Sequence, residues 1–434
     1  MNAGEVASLL LGGFSILIVL RVPVSFALGL ACVPILILDP RLSAIMLFNV
    51  MWKSYNAFIL LAVPFFLLAA NLMNSAGITD RLVNLARAVV GHLPGGLAHV
   101  NVLVSMLFAG ISGSSTADAA GIGSLMIPAM KKQGYDTEFS VALTACSSVM
   151  GVIIPPSIMM IVWGGLMSTS IGALFLAGVI PGIAIGMLMM GTVLIYAYRR
   201  KYPVYERTTW RETGAALSRS ALALLSPAII VGGIVGGLFT PTEASVVAVL
   251  YSLVLGCVVY RSIRPADLPH IFFDSARLAA IALFCIGTAS AFGWILAYYH
   301  IPQLLVELLA QIQGGKISTG FLIAAVFLLV GMFIDAIPAI IILGGVLAPV
   351  ADSVGMHPIH FAIIGVISLA FGLVTPPYGL CLLITCSLGK TTIMRALKDV
   401  LVILGPMLLL LCAVVIFPDM ILFLPRWITP EFTD

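Results

Sequence analysis

The sequence predicts an all-α polytopic membrane protein built from two inverted-topology repeats, each with five spans (one of them broken) and a re-entrant helical hairpin. Three observations carry this. The 434 residues are 61% hydrophobic and only 9% charged, against about 25% charge in soluble domains. Motifs of the first half return in the second at a fixed offset, and the basic residues gather on one side when the spans are threaded alternately. A mean hydropathy of +1.17 excludes a soluble fold. The net charge of +3 is scattered over short loops and carries no nucleic-acid footprint.

Apolar runs able to span cover roughly 6–20, 24–38, 56–74, 138–168, 173–198, 221–238, 244–260, 278–299, 357–388 and 396–417. The first follows Glu5 with no basic flank and no small-residue cleavage site, so it reads as a span and not a removable signal. Stretches 94–130 and 317–350 each hold two helix-length pieces around a polar or Gly/Pro interruption, which makes them the hairpins. Segments 79–91 and 303–312 read as amphipathic connectors in the interface. The one substantial hydrophilic stretch, 199–219, lies at the midpoint. The predicted organisation is a first repeat over 1–198, a cytoplasmic linker over 199–219 and a second repeat over 220–434.

A shift of 221 residues aligns Gly110 with Gly331, Gly123 with Gly344, Pro128 with Pro349 and Gly134 with Gly355. It also aligns Ser147 with Ser368, Gly151 with Gly372, and Pro155-Pro156 with Pro376-Pro377, the two places where two prolines adjoin. Five crossings per repeat turn the second copy upside down. With 199–219 placed inside, 17 of the 21 Lys+Arg fall inside: Arg21, Arg81, Arg87, Lys131, Lys132, six in the linker, Arg261, Arg264, Arg277, Lys390, Arg395 and Lys398. Only Arg41, Lys53, Lys316 and Arg426 fall outside. The positive-inside rule therefore supports inversion, with both termini outside.

The stretch Gly110–Gly123, "GISGSSTADAAGIG", places four hydroxyls, a carboxylate and four glycines inside an apolar region. Its counterpart is "GMFIDAIPA", with Asp335 and Pro338. Each is followed at the same interval by a broken span, "GVIIPPS" and "GLVTPPY". Proline removes a backbone donor and frees a carbonyl, and non-helical backbone at membrane depth survives only against protein or a water-filled cavity. Such breaks expose carbonyls, hydroxyls and helix ends, which suit hard cations and carboxylates. An ordinary transmembrane hairpin with its "GSST" turn in water would keep the same crossing parity. Arms of about 15 residues, ~22 Å long against a core of ~30 Å, favour re-entry.

Ser115 and Asp118 match a capping box, so Asp118 reads as a cap or as an ion ligand. Asp335, ahead of the next helix, divides the same way. Glu243 in "TPTEAS" reads as a helix-start acid, with Pro241 and Pro23 as mirrored elbows. All seven cysteines fall in apolar segments without CxxC spacing and read as small hydrophobes. "GISG" also fits an intramembrane serine protease with Ser112 as nucleophile. That chemistry needs a nearby base, and the six histidines fall at span ends or in loops, as interfacial residues would. HExxH, Walker A and dinucleotide fingerprints are absent, so no enzyme, cofactor or transition-metal site is indicated. A channel is the other rival, although paired broken helices suit alternating access better than a continuous pore.

"GISGSSTADAAGIGSLMIPAMKKQGYD", "GVIIPPSIMMIVWG", "GLFTPTEASVVAV" and "GLVTPPYGLCLLI" resemble the large permease subunit of tripartite ATP-independent periplasmic (TRAP) transporters, the DctM-like proteins, in the family's order and over essentially the whole chain. The resemblance implies a bacterial inner-membrane protein that imports organic acids on a sodium gradient. Its partners would be a separate small four-helix membrane subunit and a periplasmic substrate-binding protein. It implies an elevator: scaffold helices over 1–92 and 220–316, and a moving part with hairpins 93–130 and 317–350 and broken helices 136–168 and 357–388. Spans 173–198 and 396–417 complete the repeats. One sodium site would use Ser112 and Ser114 with carbonyls around Gly151, Ile154 and Pro156. A second would use Gly331 and Asp335 with Gly372, Thr375 and Tyr378. The substrate carboxylate would lie near Ser115, Thr116 and Asp118, facing Pro155 and Pro376. A carrier of the same architecture working alone is the nearest alternative.

Overall fold

The computed structural model describes residues 2–20, 22–204, 207–303 and 315–432. The first half runs α1 (Ala3–Val19), α2 (Val24–Leu38), α3 (Ala44–Tyr55), α4 (Ala62–Ser75) and α5 (Ile78–Val90). A hairpin of α6 (Gly96–Ser112) and α7 (Ser115–Lys132) follows, then the pair α8 (Thr137–Ser148) and α9 (Ile158–Met167), and the long α10 (Ile171–Arg200). The second half runs α11 (Trp210–Val235), α12 (Pro241–Leu253) and α13 (Leu268–Tyr298). Its hairpin is α14 (Lys316–Gly331) and α15 (Ala336–Ser353), its pair α16 (Pro358–Gly372) and α17 (Leu380–Gly389), followed by α18 (Ile393–Ile416) and α19 (Asp419–Ile428). No strand occurs among the described residues. Among the described residues seven helices are long and apolar enough to cross a membrane, so the protein is all-α and multi-pass.

The offset seen in the sequence reappears in the elements. Adding 221 to the bounds of α7 gives those of α15, and adding 221 to the start of α8 gives the start of α16. The cause is local. Gly113 adopts φ +64°, a left-handed value that ends α6, and the Ser114 hydroxyl accepts from the Ala117 N–H to begin α7. Asp335 opens α15 by accepting from the Ala336 N–H at 2.8 Å. Between α8 and α9 the chain makes a short 3-10 turn, Val149–Val152, and the Ser157 hydroxyl donates back to the Val152 carbonyl at 2.6 Å. Hairpin arms hold 16 to 18 residues. They are longer than expected, and one of them, α15, is itself among the seven helices long and apolar enough to cross a membrane.

Two groups of helices pack together. Helices α2, α3 and α4 lie on α13, and α4 also lies on α12. In the other group α7 and α8 pack on α17, α8 on α18, and α14 on α16. Glycines permit the closest approaches. The Tyr55 ring of α3 lies where a β-carbon of Gly287 would be, and the Trp163 ring of α9 covers Gly365 of α16. Trp163 also meets Phe327 of α14 and Phe361 of α16, with ring centroids 5.7 and 5.2 Å away, so a segment of the first half is keyed into the second. At the polar end of the same group, Arg200 joins Asp136 (2.7 Å) to Asp399 (2.8 Å).

Several expectations need correction. Helix α10 runs to Arg200 and α11 begins at Trp210, because Thr209 and Glu212 form a capping box inside the stretch expected to be linker. Helix α13 starts at Leu268, ten residues before the expected span, since its polar first turns continue the same helix. Helices α3 and α19 were not anticipated as separate elements. The 303–312 connector lies, apart from Gln303, outside the described residues. His99 and His360 are buried and not interfacial, with His360 Nε2 2.9 Å from the Val414 carbonyl. Glu243 does start a helix, capped reciprocally with Thr240, and α5 matches the connector expected over 79–91.

Candidate functional site

The first tip is held together by its own hydroxyls. The Ser114 N–H donates to Ser112 Oγ at 3.3 Å, and the Ser114 and Thr116 hydroxyls are 3.1 Å apart. Ser112 Oγ donates to Asp118 Oδ1. Asp118 is therefore no N3 cap: Ser114 is the N-cap, Ser115 the first helical residue, and the Asp118 carboxylate turns back toward the end of α6. It is fully buried, and its Oδ2 has no hydrogen-bond partner among the described residues. Ser115 Oγ is likewise buried and unpartnered.

The first break clasps this tip. The Ile158 N–H donates to the Gly113 carbonyl at 3.2 Å, and the Pro156 carbonyl lies 2.9 Å from where a β-carbon of Gly113 would stand. Gly151 sits directly against Asp118 Oδ2 and the Ser114 backbone. Ser112, Ser114, Gly151 and Pro156 thus come together around Asp118. Ile154 points its side chain at Gly182 of α10, so only its backbone remains for any ligand.

The second tip is built alike with different chemistry. The Gly379 N–H donates to the Met332 carbonyl at 3.3 Å; Gly379 is the counterpart of Ile158, while its acceptor lies two residues before the counterpart of Gly113. Gly331 and Gly372 touch backbone to backbone; a β-carbon on Gly372 would lie 2.6 Å from the Gly331 carbonyl carbon. Thr375 Oγ1 donates to the Phe371 carbonyl at 2.7 Å, and Tyr378 is exposed. Asp335 is exposed and lines the cavity described next.

Both tips open on one cavity of about 300 Å³. Gly113, Ser114, Ser115 and Thr116 line it from one side and Asp335, Ala336, Ile337 and Pro338 from the other. The starts of α7 and α15 therefore meet across it, each presenting first-turn N–H groups and the positive end of a helix dipole. The opposite wall is Pro23, Val24, Ser25 and Leu67 with Leu278, Ile281, Ala282 and Cys285 of α13. Among the described residues no Lys or Arg lines it. Pro155 and Pro376, expected to face the substrate, do not line it either: Pro155 turns its carbonyl toward Gly110, and from the second break only Leu373 reaches the wall.

The chain matches the family described as "Tripartite ATP-independent periplasmic transporter, DctM component" over residues 11–420. It belongs to the DctM family of TRAP transporter permeases. It is 41% identical to the uncharacterized protein YgiK of Salmonella typhimurium, covering 97% of this chain and 98% of that one. It is 38% identical to the sialic acid TRAP transporter large permease protein SiaM of Vibrio cholerae, over 93% of this chain and 95% of that one. Among solved structures it is similar to the Alcanivorax borkumensis YdaH transporter, with a TM-score of 0.57 at 17% identity, covering 85% of this chain and 89% of that chain. That likeness shows the fold.

In this TRAP permease, sequence reasoning found the tips and missed the wall. Leu278, Ala282 and Cys285 follow helical spacing along α13 and look like any apolar stripe. Cys285, read as a small hydrophobe, is such a residue and also faces the cavity.

Proposed function

We propose that this permease imports organic carboxylates by sodium-coupled alternating access, receiving them from a periplasmic binding protein and working beside a small four-helix membrane subunit. The observation that carries the reading is the cavity between the two tips, with a buried carboxylate behind it. A charged Asp118 with Ser112 as its hydrogen-bond donor lacks compensation, and a buried unpaired charge is strongly unfavourable. A sodium ion held by Asp118, the Ser112 and Ser114 hydroxyls and carbonyls near Gly151, Ile154 and Pro156 would supply it. A second ion would lie at Gly331, Asp335, Gly372, Thr375 and Tyr378, where broken backbone offers carbonyls.

A substrate carboxylate then lies at Ser115 and Thr116, between the two helix starts. Cation binding pins the tips, so the carboxylate site forms only with sodium present. Each translocated charge adds about 2.3 kcal/mol per 100 mV. The packing supports reading this as an elevator: α2, α3, α4, α12 and α13 would form the scaffold, and the hairpins with α8, α9, α16 and α17 would slide against it, with α13 and α15 packed together at the boundary. On this reading the halves over 1–198 and 220–434 are inverted repeats, and the chain would sit in a bacterial inner membrane with both termini periplasmic, as the distribution of Lys and Arg supports. The kinship with SiaM makes sialic acid the first substrate to try.

The test is counterflow in proteoliposomes with sialic acid and other carboxylates, with and without Na⁺ and the binding protein. Ser112→Ala with Ser114→Ala should raise the sodium concentration needed and leave membrane insertion intact. Unchanged sodium dependence would remove the assignment. Uptake without the binding protein would favour a carrier that works alone, and unsaturable flux a channel.

A further inference from the structure

A second, larger cavity of about 570 Å³ adjoins the first and shares Leu278 and Ile281 with it. Polar groups stand among the apolar residues of its lining: Asn71, Asn74 and Ser75 from α4, and His270, Asp274 and Arg277 from α13. Asn74 also approaches α7, its Nδ2 lying 3.9 Å from where a β-carbon of Gly121 would stand. The vestibule therefore lies beside an arm of the first hairpin.

One stripe of α13 runs through both spaces. His270, Asp274, Arg277, Leu278 and Ile281 line the vestibule, and Leu278, Ile281, Ala282 and Cys285 line the inner cavity. These positions follow helical spacing on one face. Arg277 is about 12 Å along the axis from Cys285.

The charges are arranged asymmetrically. Asp274 is engaged, with His270 Nδ1 3.0 Å from its Oδ2, and the Asn71 amide donates to Ser275 Oγ at 2.8 Å. Arg277 is exposed and makes no ion pair or hydrogen bond among the described residues. Among the described residues no basic side chain lines the inner cavity, so Arg277 is the cation that an anion leaving the tips along this stripe meets.

We infer that the vestibule is a second carboxylate subsite, in which Arg277 holds the substrate anion between the tips and the aqueous phase. The guanidinium supplies the charge, and Asn74 and Ser75 supply neutral polar groups beside it. Asp274 lies 3.0 Å from His270 Nδ1 and makes no ion pair with Arg277 among the described residues. The inference rests on the reading of the inner cavity as the carboxylate site, and its test separates the two.

The experiment labels Ser75→Cys in the full-length chain with an anionic (2-sulfonatoethyl) and a cationic (2-trimethylammonioethyl) methanethiosulfonate, resolved from native cysteines by peptide mass spectrometry. Arg277→Gln should lower the ratio of anionic to cationic labelling rates about fivefold, and Arg277→Lys should restore it. Millimolar succinate or N-acetylneuraminate should slow labelling at position 75 with Arg277 present and not in Arg277→Gln. An unchanged ratio, or no slowing by either anion, overturns the inference. Cys285 reports the inner cavity in the same samples. Slowing at 285 without slowing at 75 keeps the transport reading and removes the vestibule subsite; the converse removes the inner site alone.

Discussion

Asp118 Oδ2 lies directly against the α-carbon of Gly151, so the carboxylate of the first hairpin and the first break of the following span share one space. A β-carbon at 151 would overlap that oxygen. The contact ties two elements that the chain separates by more than a full helix.

Asp118→Asn should therefore change the response to cations before it changes the fold. A ligand that binds the native state at 100 times its Kd adds about 2.7 kcal/mol of stability. Sodium should raise the melting temperature of the wild-type chain relative to choline, and Asp118→Asn and Gly151→Ala should each reduce that increment. Thermal unfolding in detergent with each salt measures it. An undiminished increment in both variants would separate Asp118 from the ion.

The second tip makes a different prediction. Gly372→Ala places a methyl group 2.6 Å from the Gly331 carbonyl carbon, with backbone on both sides. Overpacking of this kind costs about 1–3 kcal/mol. The expected result is lower thermal stability than that of Gly345→Ala, a position where a β-carbon meets nothing within 4 Å. Equal stability of the two variants would count against the contact.

Trp163 tests the joint between the halves. Trp163→Ala should cost about 3–5 kcal/mol, as truncations of large buried aromatics do. Gly365→Leu should push the ring away and also destabilise. Paired with Phe327→Leu, Trp163→Ala should be non-additive, because the rings touch. A double-mutant cycle by denaturation reads this directly.

The turn between α2 and α3 carries a pH prediction. The Arg41 guanidinium, and then the Tyr299 hydroxyl, hold the Asp39 carboxyl well below the usual carboxylate range. Burial first, and then the bond to Asp39, push the Tyr299 phenol up to about 12. A lowered acid contributes stability above its unfolded pKa and loses it as pH falls through the folded value. A raised phenol contributes below its unfolded pKa, about 10, and loses it as pH rises toward 12. Hydrogen exchange at residues 38–42 and 295–299 should give flat opening free energies from about pH 5 to 9, loosening only beyond those ends. Asp39→Asn should open the loop across that window.

Cys285 offers a check on the cavity itself. It lines the space between the tips, whereas Cys146 and Cys381 are fully buried elsewhere. A small maleimide should modify Cys285 ahead of those two and block uptake, and Cys285→Ala should make uptake resistant. Inhibition that persists in Cys285→Ala would place the reactive thiol elsewhere.

Much of this was legible in the chain. The glycine and hydroxyl content of Gly110–Gly123 marks a tip because those residues are unfavourable as lipid-facing helix, and the paired prolines mark breaks because they cannot complete a helix. Other features were not. Ser114 rather than Ser115 took the cap because Gly113 alone supplies the left-handed turn one residue earlier. The start of α11 hid in a polar stretch, since an exposed helix end resembles a linker in composition.

The sequence by itself determined the membrane class, the 221-residue recurrence and the positions of tips and breaks. These depend on hydropathy, glycine and proline, which act within a few residues. Only the tertiary structure decided that Asp118 is buried against Gly151, that α13 closes the cavity, and that Arg277, with no ion pair among the described residues, stands on the same stripe as Cys285. Those relationships join residues far apart in the chain, and packing geometry, which leaves no periodic trace in composition, selects them.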